Sequence, residues 1–464
     1  MKYKIVVIAL LFVGMWACKP ELNEFKASKG SADFSVYMSA GNSLTAGYAD
    51  GALYKSGQQG SYANLLAKQF ELVGRQGDFK IPFVESEDGV GNRGAGLVTK
   101  MKMGFSTDCK GTTSLAPVLA NPNASQAELF ALLTTSVAAN GPYNNIGVPG
   151  AKVAHLLAPG YGTLNPFFGR FASSATASVV SEIAAVSPTF FTLWIGNNDV
   201  LGYATSGGVG DVITPIDGPP GQGFAASYEA VLQSFGQFAS SGAVANIPDI
   251  TSIPFFTTVP YNAIVLTDQS IVDYINSQYA AYNQGMELIG LPYRINFSLG
   301  QNPMVIADNT IPIPDGVPIP KIRQIKSGEL VLLSIPQDSL KCAYWGTAKA
   351  VADQYILTEA EIANVTTAVT AYNQVIAAAA EAHSLALVDA NANMKKLASG
   401  GIRVDGVTFT NAFVTGNVFS TDGVHLTPQG NALVANYFID AINTKYIANI
   451  PQVNVTDYPA VVLP

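Results

Sequence analysis

Three residues near opposite ends of the chain have the side chains and the spacing for nucleophilic catalysis on an ester. Ser43 lies in segment 41–48 (GNSLTAGY), and Asp422 precedes His425 by three positions in the turn-like segment STDGVHLTP. Ester hydrolysis needs a nucleophile, a base that accepts its proton and an acid that orients the base. In a turn, side chains at i and i+3 can lie on one side, so Asp422 can reach Nδ1 of His425 and leave Nε2 free for Ser43.

Ordinary structural roles compete with this interpretation. A serine in a Gly-Asn-Ser turn is more often part of the turn itself, and Asp422 could serve its own turn with His425 on the surface. The chain has only three histidines, so the choice of base is narrow. His383 falls at the end of a predicted helix and is expected to be structural. His155, which follows a glycine-rich turn, is the one alternative base.

The elements that must position these residues alternate between strand and helix. Segment 34–40 is β-prone and delivers Ser43 to a turn, and the unbroken apolar run 189–195 predicts a strand buried on both faces that ends in the polar turn 196–199. Further strands are predicted at 254–259 and 385–389, and helices at 61–73, 175–185, 224–238, from Thr358 onward and after Thr427. This alternation predicts an α/β fold, a parallel sheet with helices on both faces.

Three stretches interrupt the alternation and are predicted to be long insertions on one core domain at residues 31–450. The insertions are expected near 77–143, 203–223 and 301–346, and a C-terminal tail at 451–464. They are rich in glycine and proline. Loops of this kind run over the surface, often over the active face of an α/β enzyme.

Residues 1–18 predict a lipoprotein signal peptide. Two lysines precede the apolar run 5–14, which is too short to span a bilayer, and a small residue precedes Cys18. The segment MWAC resembles the lipobox of bacterial lipoproteins, the alternative being an ordinary cleaved signal. We therefore expect lipidation of Cys18 and a polar tether at 19–30. An aspartate directly after Cys18 would resemble an inner-membrane retention signal, but the residue there is Lys19. We therefore expect an outer-membrane lipoprotein of the cell envelope, periplasmic or surface-exposed.

Composition narrows the class of partner. The chain has 464 residues, 48% of them hydrophobic and 12% charged, with a formal net charge of −8, which is typical of a folded protein with a large core. It contains no dense basic block, so nucleic acid is not expected as a partner. Besides Cys18 there are only Cys109 and Cys342. A disulfide between them is possible in an oxidising envelope compartment, but the sequence does not determine their distance.

Four ordered blocks of the chain resemble those of the SGNH hydrolase superfamily, the GDSL-type esterases and lipases. The blocks are Ser43 in GNSL as the nucleophile, Gly150 in NIGVPGA as the glycine block, Asn198 in GNND as the Gly-x-Asn-Asp block, and Asp422 with His425 as the Asp-x-x-His block. Large gaps separate the blocks, so the motifs cover only part of the chain. The insertions between them are left unassigned, and we expect them to select the substrate.

The resemblance implies a three-layer α/β/α sandwich of the flavodoxin-like type around the parallel sheet. It also implies an oxyanion hole made by the backbone N–H groups of Ser43 and Gly150 and the side-chain amide of Asn198, with Asn197 as the alternative donor. Asn42 stands where the family has an aspartate. The amide keeps an acceptor and loses the charge, so we expect the loop geometry to be preserved.

Together these observations predict a serine ester hydrolase, a carboxylesterase or lipase that works through a Ser-His-Asp triad and an acyl-enzyme, with no metal or organic cofactor. An acyltransferase or a carbohydrate O-acetyl esterase would use the same triad, and a non-catalytic binding lipoprotein could keep the fold. The expected partners are an ester substrate, either an acyl lipid or an acetylated glycan, and the membrane through the anchor at Cys18. The sequence does not rank these substrates.

Overall fold

The computed structural model describes residues 25–92 and 96–464. The predicted signal peptide, Cys18 and residues 19–24 of the predicted tether lie outside the described residues, so these predictions stay predictions. Within the described ranges, no helix is both long enough and apolar enough to cross a bilayer.

A five-stranded parallel sheet forms the centre of the molecule. Its strands are β1 (Tyr37–Gly41), β2 (Asn145–Gly147), β3 (Phe190–Trp194), β4 (Ser241–Ala245) and β5 (Ala386–Val388). They lie in the order β5-β4-β3-β1-β2, and each neighbouring pair is parallel. Every residue of β1 and β3 is buried, as in strands covered on both faces. The predicted α/β class with a central parallel sheet is confirmed.

The strand register brings the turns of interest to one edge of the sheet. Gly41, the last residue of β1, pairs with Trp194 at the end of β3 and with Gly147 at the end of β2. Parallel strands share the edge at which they end, and ligands of open α/β sheets bind beyond that edge. The segments that follow these three strands therefore lie side by side.

Helices of two groups pack beside the sheet. The principal helices are α1 (Ser43–Ala46), α2 (Tyr62–Glu71), α3 (Val153–Leu157), α4 (Asn198–Thr205), α5 (Phe224–Gly236), α6 (Glu359–Ala382) and α7 (Pro428–Tyr446). Helix α2 packs on α7, which contacts β4 and β5, whereas α5 packs on α3 and α6, and α6 also contacts β4 and β5. The remaining α-helices are Lys55–Gln59, Gln126–Thr134, Pro166–Gly169, Ile183–Val186, Pro254–Thr257, Gln269–Leu288, Gln337–Cys342 and Ala390–Ser399. Short 3-10 helices occur at Ala138–Asn140, Tyr161–Thr163, Val179–Glu182, Ile250–Ser252, Asp353–Tyr355 and Val455–Asp457.

The two helices with N-terminal capping signals in the sequence begin where those signals predict. The Thr358 backbone N–H donates to the Glu361 carboxylate at 2.7 Å, one half of a capping box at the start of α6. At the start of α7, the Thr427 hydroxyl accepts from the Gly430 N–H at 2.9 Å, and Pro428 occupies the first helical position. Both helix predictions are confirmed, and α2 and α5 lie within their predicted ranges.

The strand predicted at 254–259 is wrong, because Pro254–Thr257 forms a short helix. Proline at the first helical position loses nothing by lacking an N–H, and its fixed φ suits the helix. The helix predicted at 175–185 forms only from residue 179 onward. Strands β2 and β4 were not predicted. Strand β2 has three residues, too few for a periodic signal.

The predicted insertions contain ordered structure of their own. Segment 77–143 includes an antiparallel hairpin, Met101–Thr107 with Thr113–Leu119. Residues 264–357 form a region with two apolar clusters, one around Met286 and one around Ile306, so this ordered region begins before residue 301. The remaining strand pairs are Gly91–Asn92 with Leu97–Val98, Ile264–Leu266 with Gly300–Asn302, Val305–Ala307 with Ile322–Gln324, Leu330–Val331 with Ile356–Leu357, and Ile402–Val404 with Val407–Phe409.

A disulfide joins two of these regions. Cys109, in the turn of the hairpin, is bonded to Cys342, with Cα atoms 6.4 Å apart. Beside it the Lys341 ammonium lies 2.9 Å from the Asp108 carboxylate. The pairing that the sequence left open is thus present, and it ties the hairpin to the end of helix Gln337–Cys342.

Candidate active site

The turn after β1 presents Ser43 at the first position of α1. The side chain of Asn42 caps this helix by accepting from the Leu44 N–H at 3.0 Å. A Cβ on Gly41 would lie 2.3 Å from the Trp194 carbonyl oxygen, so the close approach of β1 and β3 requires glycine there. Ser43 is 8% exposed. Its N–H belongs to the first turn of a helix, where donors have no partner within the helix.

The segment before α7 brings a histidine and an aspartate to this serine. His425 Nε2 lies 2.9 Å from Ser43 Oγ, and His425 Nδ1 lies 2.8 Å from Asp422 Oδ2. Both distances are hydrogen bonds, and together they connect the three side chains in the order nucleophile, base, acid. The structure therefore brings together the three residues that the sequence singled out. Residues 382 positions apart in the chain meet in the first of these contacts.

Both oxygens of the Asp422 carboxylate accept hydrogen bonds. Its Oδ1 accepts from the backbone N–H groups of Val424 and His425 at 2.9 and 2.8 Å, and its Oδ2 accepts from the Gly51 N–H at 2.8 Å. Burial alone would raise the pKa of Asp422, but the interaction with His425 and the backbone donors outweigh it and hold that pKa well below its usual range. Asp422 is therefore a carboxylate at neutral pH and can stabilise a protonated His425.

A loop after α1 contacts the segment that carries Asp422 and His425. The Asp50 N–H donates to the Ser420 hydroxyl at 2.9 Å, and the Asp50 carboxylate accepts from the Thr421 N–H and hydroxyl at 3.1 and 2.8 Å. On the other side, the Phe255 N–H donates to the Gly423 carbonyl at 2.9 Å. Sequence reasoning missed Asp50 and Phe255. The Asp-Gly pair at 50–51 signals a turn, but not the segment it contacts.

The loop that contains Gly150 lies next to the serine turn. The Val148 N–H donates to the Gly41 carbonyl at 3.0 Å, which continues the pairing of β1 and β2. Gly150 has φ +79°, a conformation that favours glycine, and a Cβ there would meet nothing within 4 Å. Glycine is thus favoured there for its backbone conformation, and the space that a side chain would occupy is open.

Two adjacent amides follow β3. Asn198 Nδ2 donates to the Ala151 carbonyl at 2.9 Å, which ties the start of α4 to the Gly150 loop and leaves a second amide N–H. Asn197 Oδ1 accepts from Asn42 Nδ2 at 3.1 Å. Both asparagines line the same cavity as Ser43 and His425, whereas Gly150 is not among its lining residues.

That cavity extends from Ser43 and His425 into a mostly apolar interior. Its further walls come from the ends of β3, β4 and β5, from helix Ala390–Ser399 and from α7. The space between these walls is about 860 Å³, and part of it is open to solvent. Within residues 25–92 and 96–464, no group of three His, Cys, Asp or Glu side chains is arranged to hold a metal ion.

The other two histidines have different partners. His155 Nδ1 accepts from the Lys152 N–H at 3.1 Å, and its ring stacks on Tyr161 with centroids 4.8 Å apart. Burial lowers the pKa of His155. His383 Nε2 lies 2.9 Å from Glu229. The serine hydroxyl is hydrogen-bonded to His425, so the geometry favours His425 over His155 as the base.

No protein-family model matches the chain, and no curated protein matches it significantly.

Proposed function

We propose that this protein is a serine ester hydrolase in which Ser43 is the nucleophile, His425 the general base and Asp422 the residue that orients it. The observation that carries the proposal is the continuous pair of hydrogen bonds, 2.9 Å from Ser43 Oγ to His425 Nε2 and 2.8 Å from His425 Nδ1 to Asp422. Buried structural serines have no need of a histidine that is itself held by an ionised, buried carboxylate. The arrangement serves to remove a proton from the serine hydroxyl.

The proposed reaction has two halves. Ser43 Oγ attacks the ester carbonyl carbon while its proton moves to His425 Nε2, and the carbonyl oxygen becomes an oxyanion. The intermediate collapses with loss of the alcohol, which receives the proton from His425, and the acyl group stays on Ser43. Water then repeats the sequence, giving a carboxylic acid and the free serine. Asp422 stays ionised throughout and stabilises the imidazolium that forms twice.

Donors for the oxyanion are proposed from three places. The Ser43 N–H stands at the start of α1, the Gly150 N–H lies in an open left-handed turn, and Asn198 has an amide N–H beyond the one bonded to Ala151. Asn197 is the alternative side-chain donor. A neutral amide stabilises the oxyanion without adding a charge that a free enzyme would have to solvate.

The finer fold assignment is part of the same proposal. Two helix groups, α2 with α7 and α3 with α5 and α6, support a three-layer α/β/α sandwich. The residues that resemble SGNH motifs follow β1, β2 and β3 or precede α7, at the edge where such a fold binds substrate. These placements support membership of the SGNH superfamily, with Asn42 as a departure from its nucleophile block.

We further propose an outer-membrane lipoprotein anchored through Cys18, a proposal that rests on the sequence of residues 1–30. Metabolic labelling with a radioactive fatty acid in a bacterial host tests it. Wild type should be labelled and partition with outer membranes, and Cys18→Ser should lose the label. A labelled Cys18→Ser variant would contradict the anchor.

Hydrolysis of p-nitrophenyl esters tests the catalytic proposal. Ser43→Ala and His425→Ala should each lower kcat by about three or more decades, while His383→Ala, a matched change at a histidine paired with Glu229, should leave kcat within about twofold. A fluorophosphonate probe should label Ser43 in the wild type and not in Ser43→Ala. Equal hydrolysis by wild type and Ser43→Ala would overturn the proposal.

A further inference from the structure

We propose that the cavity behind Ser43 binds the aliphatic acyl chain of the ester, so that medium-chain acyl esters are better substrates than acetyl esters. The inference rests on the proposed function and names the substrate class of that site. It follows from how polar and apolar groups are distributed around the cavity.

The polar end of the cavity is the catalytic site. Its polar lining side chains there are Ser43, His425 and the three amides of Asn42, Asn197 and Asn198. Ester carbonyl and ester oxygens need hydrogen-bond donors, and this end supplies them. One end of the cavity is thus suited to the ester group.

Beyond it the walls are mostly apolar, and the polar groups among them are the Asn393 amide and the Tyr437 hydroxyl. Trp194 contributes its ring from the end of β3, and its indole N–H is already bonded to the Asn246 carbonyl at 3.1 Å. Met394 and Leu397 line the cavity from helix Ala390–Ser399, and Val434 lines it from α7. No Asp, Glu, Lys or Arg side chain is among the described lining residues. Walls of this kind bind hydrocarbon and offer only two polar groups to the many hydroxyl groups of a sugar.

The course of the reaction assigns this space to the acyl side of the ester. The acyl group stays bonded to Ser43 from the first attack until water releases it, whereas the alcohol leaves after protonation by His425 and water must take its place. A cavity that is lined by Ser43 and continues into the interior suits the group that stays. The alcohol needs a route to solvent instead.

The apolar lining sets the expected preference. An acetyl group has a single methyl group and cannot cover walls that Trp194, Met394 and Val434 contribute from three separate elements. Each further methylene buried against apolar walls should raise kcat/KM by about fourfold, the equivalent of its transfer from water. With four added methylenes incompletely buried, we expect kcat/KM to rise by about 30-fold or more from butanoate to octanoate.

Substrate isomers separate the acyl side from the alcohol side. Ethyl octanoate and octyl acetate contain the same atoms, with the chain on opposite sides of the ester. The purified full-length chain should hydrolyse ethyl octanoate with at least tenfold higher kcat/KM. Equal rates, or a preference for octyl acetate, would overturn the acyl assignment. If neither these esters nor p-nitrophenyl acetate were cleaved in a Ser43-dependent manner, the proposed function itself would fail.

Blocking the cavity provides the second test. Val434 is half-buried and lines it, so Val434→Trp should lower kcat/KM for p-nitrophenyl octanoate by about tenfold or more and leave acetate within about threefold. Ala390→Phe, at a lining position on helix Ala390–Ser399 rather than on α7, should act in the same way and guards against misfolding of one variant. Thr444→Trp, an exposed site on α7, is the matched control and should change neither. Equal effects of the blocking variants on both esters would contradict an acyl pocket.

Tyr437 distinguishes a hydrocarbon occupant from a polar one. It lines the cavity, and its buried hydroxyl has no hydrogen-bond partner among the described residues. For an aliphatic chain, Tyr437→Phe should keep or raise kcat/KM for octanoate, because it removes an unpaired polar group. A tenfold loss in this variant would mean that the occupant accepts or donates a hydrogen bond there, and would overturn the aliphatic assignment.

Discussion

The substitution Asp422→Asn changes one atom of the triad and should nearly abolish catalysis while leaving the fold intact. Asp422 Oδ1 accepts from two backbone N–H groups, and Oδ2 accepts from the Gly51 N–H and from His425 Nδ1. An asparagine keeps the bonds from the Val424 and His425 N–H groups only with its oxygen at the Oδ1 position. Its NH₂ group then occupies the Oδ2 position, where it cannot accept from the Gly51 N–H and faces His425 Nδ1.

This orientation reverses the role of the imidazole. The NH₂ group donates, so His425 Nδ1 must become an acceptor and the proton moves to Nε2. There it points at Ser43 Oγ, and a protonated nitrogen cannot take the serine proton. We expect kcat to fall by about 10⁴, close to 5 kcal/mol of transition-state stabilisation at 1.36 kcal/mol per decade.

Steady-state hydrolysis of p-nitrophenyl butanoate at pH 7.5 measures this loss, with the rate of fluorophosphonate labelling as an independent readout of serine reactivity. Asp268→Asn is the matched control. Asp268 caps helix Gln269–Leu288 by accepting from the Ser270 N–H, and asparagine caps equally well, so its kcat should match wild type. If folded Asp422→Asn retained activity within tenfold of wild type, the tautomer argument would be refuted.

Three further changes test other parts of the structure. Asn198→Ala should lower kcat by about 10² to 10³ through loss of an oxyanion donor, and Asn197→Ala should cost less; the reverse order of effects would assign the role to Asn197. Burial raises the pKa of Asp199 to about 6, from an ordinary 3.8. The folded state therefore binds this proton more tightly, and its stability falls by roughly 3 kcal/mol as pH rises from about 4 to about 6. Asp199→Asn removes this dependence, so its Tm relative to wild type should be higher at pH 8 than at pH 4.5, and a pH-independent difference would contradict the argument. The Cys109→Ser/Cys342→Ser double variant should lose about 2–5 kcal/mol of unfolding free energy and should have a lower Tm than wild type. Its kcat for p-nitrophenyl acetate should stay within about twofold of wild type, because the disulfide joins two regions outside the triad. An unchanged Tm would contradict a stabilising role.

The predictable parts of this fold are those with local signals. The capping box at Thr358 and the proline after Thr427 mark helices by interactions within four residues, and the apolar run of β3 marks a buried strand by its composition. Strand β2 has no such signal, because its three residues are held in place by contacts with distant segments, among them the pairing with β1. The run at 254–259 misleads because apolar and β-prone residues follow a proline that begins a helix, and the contact that makes this helix useful, Phe255 to Gly423, joins segments far apart in the chain.

Asn42 differs from the SGNH nucleophile block that the segment resembles, and its contacts show what the difference does. Its oxygen keeps the capping bond to the Leu44 N–H, as an aspartate would, but its nitrogen donates to Asn197 Oδ1. An aspartate at this position could only accept, and the Asn197 amide would have to turn its NH₂ group toward it. With asparagine at 42, the Asn197 oxygen is occupied and its Nδ2 remains available at the cavity. Position 42 then places no carboxylate beside the proposed oxyanion site. The substitution therefore changes which amide groups a substrate meets, while the capping of the serine turn is unaltered.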